Sequence, residues 1–184
     1  MDAALHDIFR TSGMLEDLAS GLTRLGGTEV LVAVAVVSVY LLRRAGLTWW
    51  GAGAPAASLW FCALVTSMVK DIVGRTRPEA GAGLSSMSFP SGHASNTTAL
   101  AVALALVVPW AVPSIRRRVS LAVASMVSLA IGWTRLALGV HWTTDVIAGW
   151  ILGVVVALGV VQFARMRATS STVSPPTPPP TSGD

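Results

Sequence analysis

The chain has 184 residues, 53% of them hydrophobic and 12% charged, with a formal net charge of +4 and a mean hydropathy of +0.65. Charged residues make up about 25% of an ordinary soluble domain, so that class is excluded, and the apolar content is too high for a solvated coil over most of the length. The single cysteine, Cys62, lies inside an apolar run, which rules out a disulfide scaffold and a cysteine-ligated zinc site.

Residues 1–25 place Leu5, Ile8, Phe9, Leu15, Leu18, Leu22 and Leu25 at roughly helical intervals among Asp2, Asp7, Glu16 and Asp17. That spacing predicts an interfacial amphipathic segment. Residues 1–7 hold two aspartates and no Lys or Arg, unlike the basic start of a cleavable signal, so the segment is expected to stay on the chain.

Five apolar runs follow, at about 26–42, 49–69, 93–112, 119–138 and 143–163. Four of them approach the ~20 residues a helix needs to cross ~30 Å of hydrocarbon. The first is the shortest: its uninterrupted part, Val30 to Leu42, has 13 residues. It must draw on Leu25–Glu29, sit where the bilayer thins, or form a re-entrant or interfacial segment. The expected fold is all-α, a polytopic membrane helix bundle of about five transmembrane helices over residues 26–167. From 168 to 184 the chain is rich in Ser, Thr and Pro, with five of its ten prolines between Pro175 and Pro180, and a disordered tail is predicted there.

Arginine placement orients the bundle, because short cytoplasmic loops retain positive charge. With five spans, Arg43 and Arg44, Arg116 to Arg118, and Arg165 and Arg167 share one side, which holds seven of the thirteen basic residues. That side and the tail are expected to be cytoplasmic in a plasma-membrane protein. Trp49, Trp50 and Trp110 then fall at the cytoplasmic interface and Trp142 at the outer one, as in aromatic belts.

Three polar clusters interrupt the apolar pattern, and this topology brings all three to the outer face. The first runs from Lys70 to Pro78 and carries Lys70, Arg75 and Arg77. Three cations so close to hydrocarbon call for partners, most simply an anionic ligand, the alternative being a snorkelling basic cap on a helix end. The second is Phe89-Pro90-Ser91-Gly92-His93 at the start of the third long apolar run. A Ser-Gly turn at a helix N-terminus offers free N–H groups and the positive dipole end to a phosphate-like anion, with His93 placed to donate a proton. Its alternative is a plain N-cap serine beside an interfacial histidine.

The third cluster holds Arg135, His141 and Asp145. If the last helix begins by His141, the i, i+4 spacing lets the carboxylate hold one ring nitrogen and leaves the other as nucleophile or base. The alternative is a structural His–Asp bond closing a turn. Only Asp71, Glu79 and Asp145 supply carboxylates near these clusters, too few for a divalent-metal site, so neither metal nor cofactor is expected.

The three clusters resemble the type 2 phosphatidic acid phosphatase family, whose motifs are Lys-x6-Arg-Pro, Pro-Ser-Gly-His and Ser-Arg-x5-His-x3-Asp. Lys70 to Arg77-Pro78 matches the first, Pro90 to His93 the second, and Arg135, His141 and Asp145 the third, with Thr134 in place of the serine. The resemblance implies a metal-independent membrane lipid phosphatase. In it His141 attacks phosphorus, Asp145 orients His141, and His93 protonates the leaving oxygen. Lys70, Arg77, Ser91, Gly92 and Arg135 hold the phosphoryl group.

The partners implied are the lipid bilayer and a membrane lipid with a phosphate or diphosphate head group, not nucleic acid. A polyprenyl diphosphate such as undecaprenyl diphosphate is the favoured substrate, with Arg75 as an additional phosphate contact. Phosphatidylglycerol phosphate and prenyl-sugar phosphates are the alternatives. A lipid phosphotransferase, a vanadium haloperoxidase and a catalytically silent lipid-phosphate binder share the pattern. The membrane spans argue against the haloperoxidase and the intact histidines against the silent binder. The loop from Glu79 to Phe89 has eleven residues, too few for a folded cap, so substrate is expected to enter laterally between helices.

Overall fold

The structure is a computed structural model and describes Asp2 and residues 8–170. Among the described residues the helices are α1 (Met14–Thr23), α2 (Thr28–Arg44), α3 (Trp49–Val73), α4 (Gly92–Ala111), α5 (Arg117–Ala137) and α6 (Thr143–Ser170). No strand occurs among the described residues. Helices α3 to α6 are each long and apolar enough to cross a membrane, and α1 and α2 together pass the same test as a span bent by 45°.

The bend accounts for the short first run. Helix α2 has 17 residues and rises about 25 Å at ~1.5 Å per residue, less than the hydrocarbon thickness. Chain direction changes at a 3₁₀ turn, Arg24–Gly26, where α1 turns aside to pack on α5. Met14, Leu15 and Leu18 of α1 are exposed while Ala19 is buried, as an interfacial helix requires.

Helix α4 is the axis, packed against α2, α3, α5 and α6. It is buried around its circumference because its residues are small: Ala94, Ser95, Thr98, Ala99 and Ala103 all lie within the bundle. Gly149 and Gly153 of α6 let the two backbones approach, as small-xxx-small pairs do in membranes. A Cβ on Gly153 would stand 2.5 Å from the Ser95 carbonyl oxygen, and one on Gly149 2.9 Å from that of Ser91.

The last helix begins at Thr143, where the fifth apolar run was expected to start, so His141 precedes it. Its far end differs from expectation: it continues through Ser170, so Ala168, Thr169 and Ser170 are helical where tail was predicted. The remainder of that predicted tail, 171–184, lies outside the described residues, as does Leu5 of the amphipathic pattern.

Helix α3 ends at Gly74, whose φ of 59° suits a residue without Cβ and whose N–H donates to the Lys70 carbonyl. This turn sends Arg75 to Arg77 back across the bundle end. The same end carries the start of α4, the end of α5 and the start of α6. Arg43, Arg44, Arg116 to Arg118, Arg165 and Arg167 all sit at the opposite end, with Trp49, Trp50 and Trp110.

Candidate active site

Lys70, Arg77, Ser91, Gly92, His93, Arg135, His141 and Asp145 all occupy that one end of the bundle. At its centre stands His141, 2% exposed, in the connection between α5 and α6. Arg77 holds it from one side: Nη1 lies 3.0 Å from His141 Nε2 and donates also to the Val140 carbonyl at 2.9 Å. Arginine can only donate, so Nε2 is the accepting nitrogen and the proton of the neutral ring sits on Nδ1. Nδ1 lies 3.4 Å from Asp145 Oδ2 and 3.5 Å from Ser88 Oγ.

Asp145 is wholly buried. Its side chain reaches back to accept the Trp142 N–H at 3.0 Å, the reciprocal half of a capping box on α6. Oδ2 also accepts the Ser88 hydroxyl, and Oδ1 accepts from Arg75 Nη1 at 2.8 Å. The histidine and carboxylate therefore meet as the spacing predicted, although His141 precedes the helix rather than sharing its face.

Lys70 donates to the Met87 carbonyl, and Arg77 also binds the Ser86 carbonyl and hydroxyl, at 2.8 and 2.9 Å. Arg135 is 8% exposed. Its Nη1 donates to Thr23 at 2.7 Å, whereas its Nε is buried with no hydrogen-bond partner. Ser91 is the N-cap residue of α4, yet its hydroxyl makes no capping bond and is likewise buried without a partner. Its N–H donates to the Asp145 carbonyl at 3.0 Å, which ties the starts of α4 and α6 together.

Burial, reinforced by the Arg77 and Arg135 charges, lowers the His141 pKa to about 4 against the opposing pull of Asp145. The ring is thus neutral at pH 7, with its Nε2 lone pair unprotonated and facing Arg77. Burial also lowers the Arg77 pKa, with Asp145 opposing.

Arg75 does not join the other cations. Its guanidinium binds Asp145, Thr144 Oγ1 at 2.6 Å and, through Nη2, Asp2 at 2.7 Å. It therefore addresses the Nδ1 side of the His141 ring, away from Nε2, and is committed to carboxylates. Ser88, Thr144 and Thr23 were not singled out in the sequence, and Asp2 was noted only as part of the amphipathic N-terminal segment. Ser88 lies two residues before Pro90, and its neighbourhood to the second motif was the one available signal.

A family model described as the PAP2 superfamily matches residues 51–168. The chain belongs to this superfamily. Phosphatidylglycerophosphatase B of Bacillus subtilis is 28% identical over 158 residues, covering 81% of this chain and 75% of the relative. Decaprenylphosphoryl-5-phosphoribose phosphatase of Mycobacterium tuberculosis is 30% identical over 168 residues, 85% of each chain. Among solved structures, a transmembrane PAP2-type phosphatidylglycerolphosphate phosphatase from Bacillus subtilis superposes with a TM-score of 0.83 at 25% identity, over 90% of this chain and 85% of that one. The PAP2 assignment, the helical bundle and the membrane-spanning apolar helices make this an integral membrane protein of the lipid phosphatase class.

Proposed function

We propose that the protein is a metal-independent phosphatase acting on a phosphate monoester carried by a membrane lipid, through a phosphohistidine intermediate. The observation that carries this reading is the setting of His141: a neutral imidazole with its proton on Nδ1 and its Nε2 lone pair turned toward the arginine of the first motif. Lys70, Arg77 and Arg135, with the unpartnered Ser91 hydroxyl and the Gly92 N–H at the start of α4, supply donors for three phosphoryl oxygens.

In the first step His141 Nε2 attacks phosphorus, the P–N bond forms, and the P–O bond to the lipid breaks. His93 gives the departing oxygen its proton, so a lipid alcohol leaves. Asp145 steadies the positive charge that the His141 ring acquires. In the second step water attacks phosphorus, its proton passes to His93, and the P–N bond breaks to release inorganic phosphate and restore His141.

Diphosphate was favoured from the sequence because an outward-facing site suits recycling of a lipid carrier and Arg75 could hold a second phosphate. With Arg75 bound to Asp145 and Asp2, three cations remain for one phosphoryl group, which favours a monoester. The relatives with the broadest coverage are named for phosphatidylglycerophosphate and for a phosphorylated prenyl sugar, both consistent with this choice. The seven arginines at the other end of the bundle support a site on the outer face of the plasma membrane.

Purified protein in detergent, given phosphatidylglycerol phosphate, a prenyl-phosphoryl sugar phosphate, phosphatidic acid and undecaprenyl diphosphate, is expected to release phosphate fastest from one of the monoesters. A preference for the diphosphate would overturn the monoester assignment, and no release from any of the four would overturn the phosphatase reading.

A further inference from the structure

The bond between His141 and Asp145 is long, at 3.4 Å, so the histidine does not itself hold the carboxylate in place. Other donors do. Trp142 N–H and Ser88 O–H fix Oδ2, and Arg75 fixes Oδ1. Arg75 and Ser88 are also joined to each other, because the Ser88 N–H donates to the Arg75 carbonyl at 2.8 Å. The two ends of the loop between α3 and α4 are thus closed on one another and together grip a carboxylate on α6.

We infer that Arg75 and Ser88, neither of which belongs to the three family motifs, are positioning residues that act on His141 through Asp145. The inference rests on the phosphatase reading above. Arg75 supplies the counter-charge that a wholly buried carboxylate requires, and its planar fork also fixes the carboxylate plane. Ser88 supplies geometry: its proton goes to Asp145 while its lone pairs face the Nδ1 proton at 3.5 Å. Asp2 holds the far side of the Arg75 fork and accepts the Thr144 N–H at 3.2 Å, so the clamp is anchored at both ends.

The charged and titratable groups around His141 are Arg75 and Arg77 of the loop, Lys70 of α3, His93 of α4, Arg135 of α5, Asp145 of α6, and Asp2 beyond Arg75. Removing the Arg75 charge leaves Asp145 less compensated and favours a protonated His141. The acid limb of kcat/KM should then move to higher pH.

The test compares Arg75→Gln, Arg75→Lys and Ser88→Ala with wild type in detergent on the best lipid phosphate of the panel. Arg75→Gln and Ser88→Ala are each expected to lower kcat by about 10- to 100-fold with little change in KM, the scale of an ångström-sized misplacement. The acid limb shifts upward in Arg75→Gln and returns in Arg75→Lys. Where Arg75→Gln does not fold, Ser88→Ala, which removes one oxygen, carries the comparison. A wild-type kcat and acid limb in the variants that fold would overturn the inference. A change confined to KM would do so too, because it would make Arg75 a phosphate ligand after all. A wild type that releases no phosphate overturns the phosphatase reading and takes this inference with it.

Discussion

Arg77 and His141 are joined at 3.0 Å across 64 residues of chain. Because the guanidinium has protons and no lone pair, this contact decides which imidazole nitrogen is the base and which carries hydrogen. In the proposed reaction, phosphate enters between the two side chains. His141→Ala is expected to abolish turnover and phosphate labelling of the protein, while Asp145→Asn leaves the protein folded but slows it by mispositioning the ring. Equal labelling of wild type and His141→Ala by a radioactive substrate would remove the nucleophile assignment.

The pH dependence follows from His141. Its pKa in the folded protein is about 4, below the ordinary histidine value of 6.5, so kcat/KM should persist to about pH 5 and decline below it. An unfolded chain takes up this proton near pH 6.5, whereas the folded chain resists it until about pH 4. The His141 contribution to stability is therefore complete above pH 6.5 and is lost as pH falls toward 4. Thermal unfolding in detergent at pH 7 and pH 4.5 should show a larger fall in Tm for wild type than for His141→Gln. The same fall in both would refute the assignment.

Activity should survive a strong chelator and be inhibited by vanadate, which takes the five-coordinate geometry of the transferring phosphoryl group. The motivation is a site built from Lys70, Arg77, Arg135 and a single buried carboxylate. Loss in chelator with recovery on magnesium would contradict it.

Packing gives a prediction independent of catalysis. Gly153→Leu drives a side chain into the Ser95 carbonyl and the Ala99 N–H, 2.5 and 2.9 Å from the position of a Cβ. Overpacking of this kind costs about 1–3 kcal/mol, so Tm should fall. A Cβ at Gly159 on the same helix meets nothing within 4 Å, so Gly159→Leu should not lower Tm. Equal Tm values would mean that α4 and α6 do not approach as described.

Orientation is tested by cysteine labelling of intact cells. Ser86 and Ser114 are both exposed and lie at opposite ends of the bundle, while native Cys62 is buried and should give little background. A cysteine at Ser86 is expected to react with an impermeant reagent and one at Ser114 is not. The reverse pattern would turn the site inward.

The helices were legible because the bilayer imposes their length: α3 starts at Trp49 and α4 at Gly92, within a residue of the apolar runs. The gathering of Lys70, His93, Arg135 and His141 at one end followed from the alternation of spans. Arg75 was misread for a physical reason. Its charge is visible in the chain, but its partner Asp145 lies 70 residues away, and nothing in the local pattern tells a cation that binds substrate from one that balances a buried carboxylate. Ser88 and Thr23 were missed because a hydroxyl that accepts or donates one long-range bond leaves no periodicity. The start of α6 at Thr143 matched its apolar run, but Asp145 caps the helix from within, so the i, i+4 pair with His141 straddles its beginning.

The attachment of Asp2 to Arg75 and Thr144 has a practical side. Asp2 lies beside the mouth of the site, while α6 runs from the site to the far end of the bundle. An affinity tag or reporter fused ahead of Asp2 would emerge next to the reacting groups and compete for the Arg75 fork. One joined beyond Ser170 would be attached to the end of α6 that points away from the site. Preparations tagged ahead of Asp2 and beyond Ser170 should therefore differ in specific activity, and the latter are the reference for kinetic work.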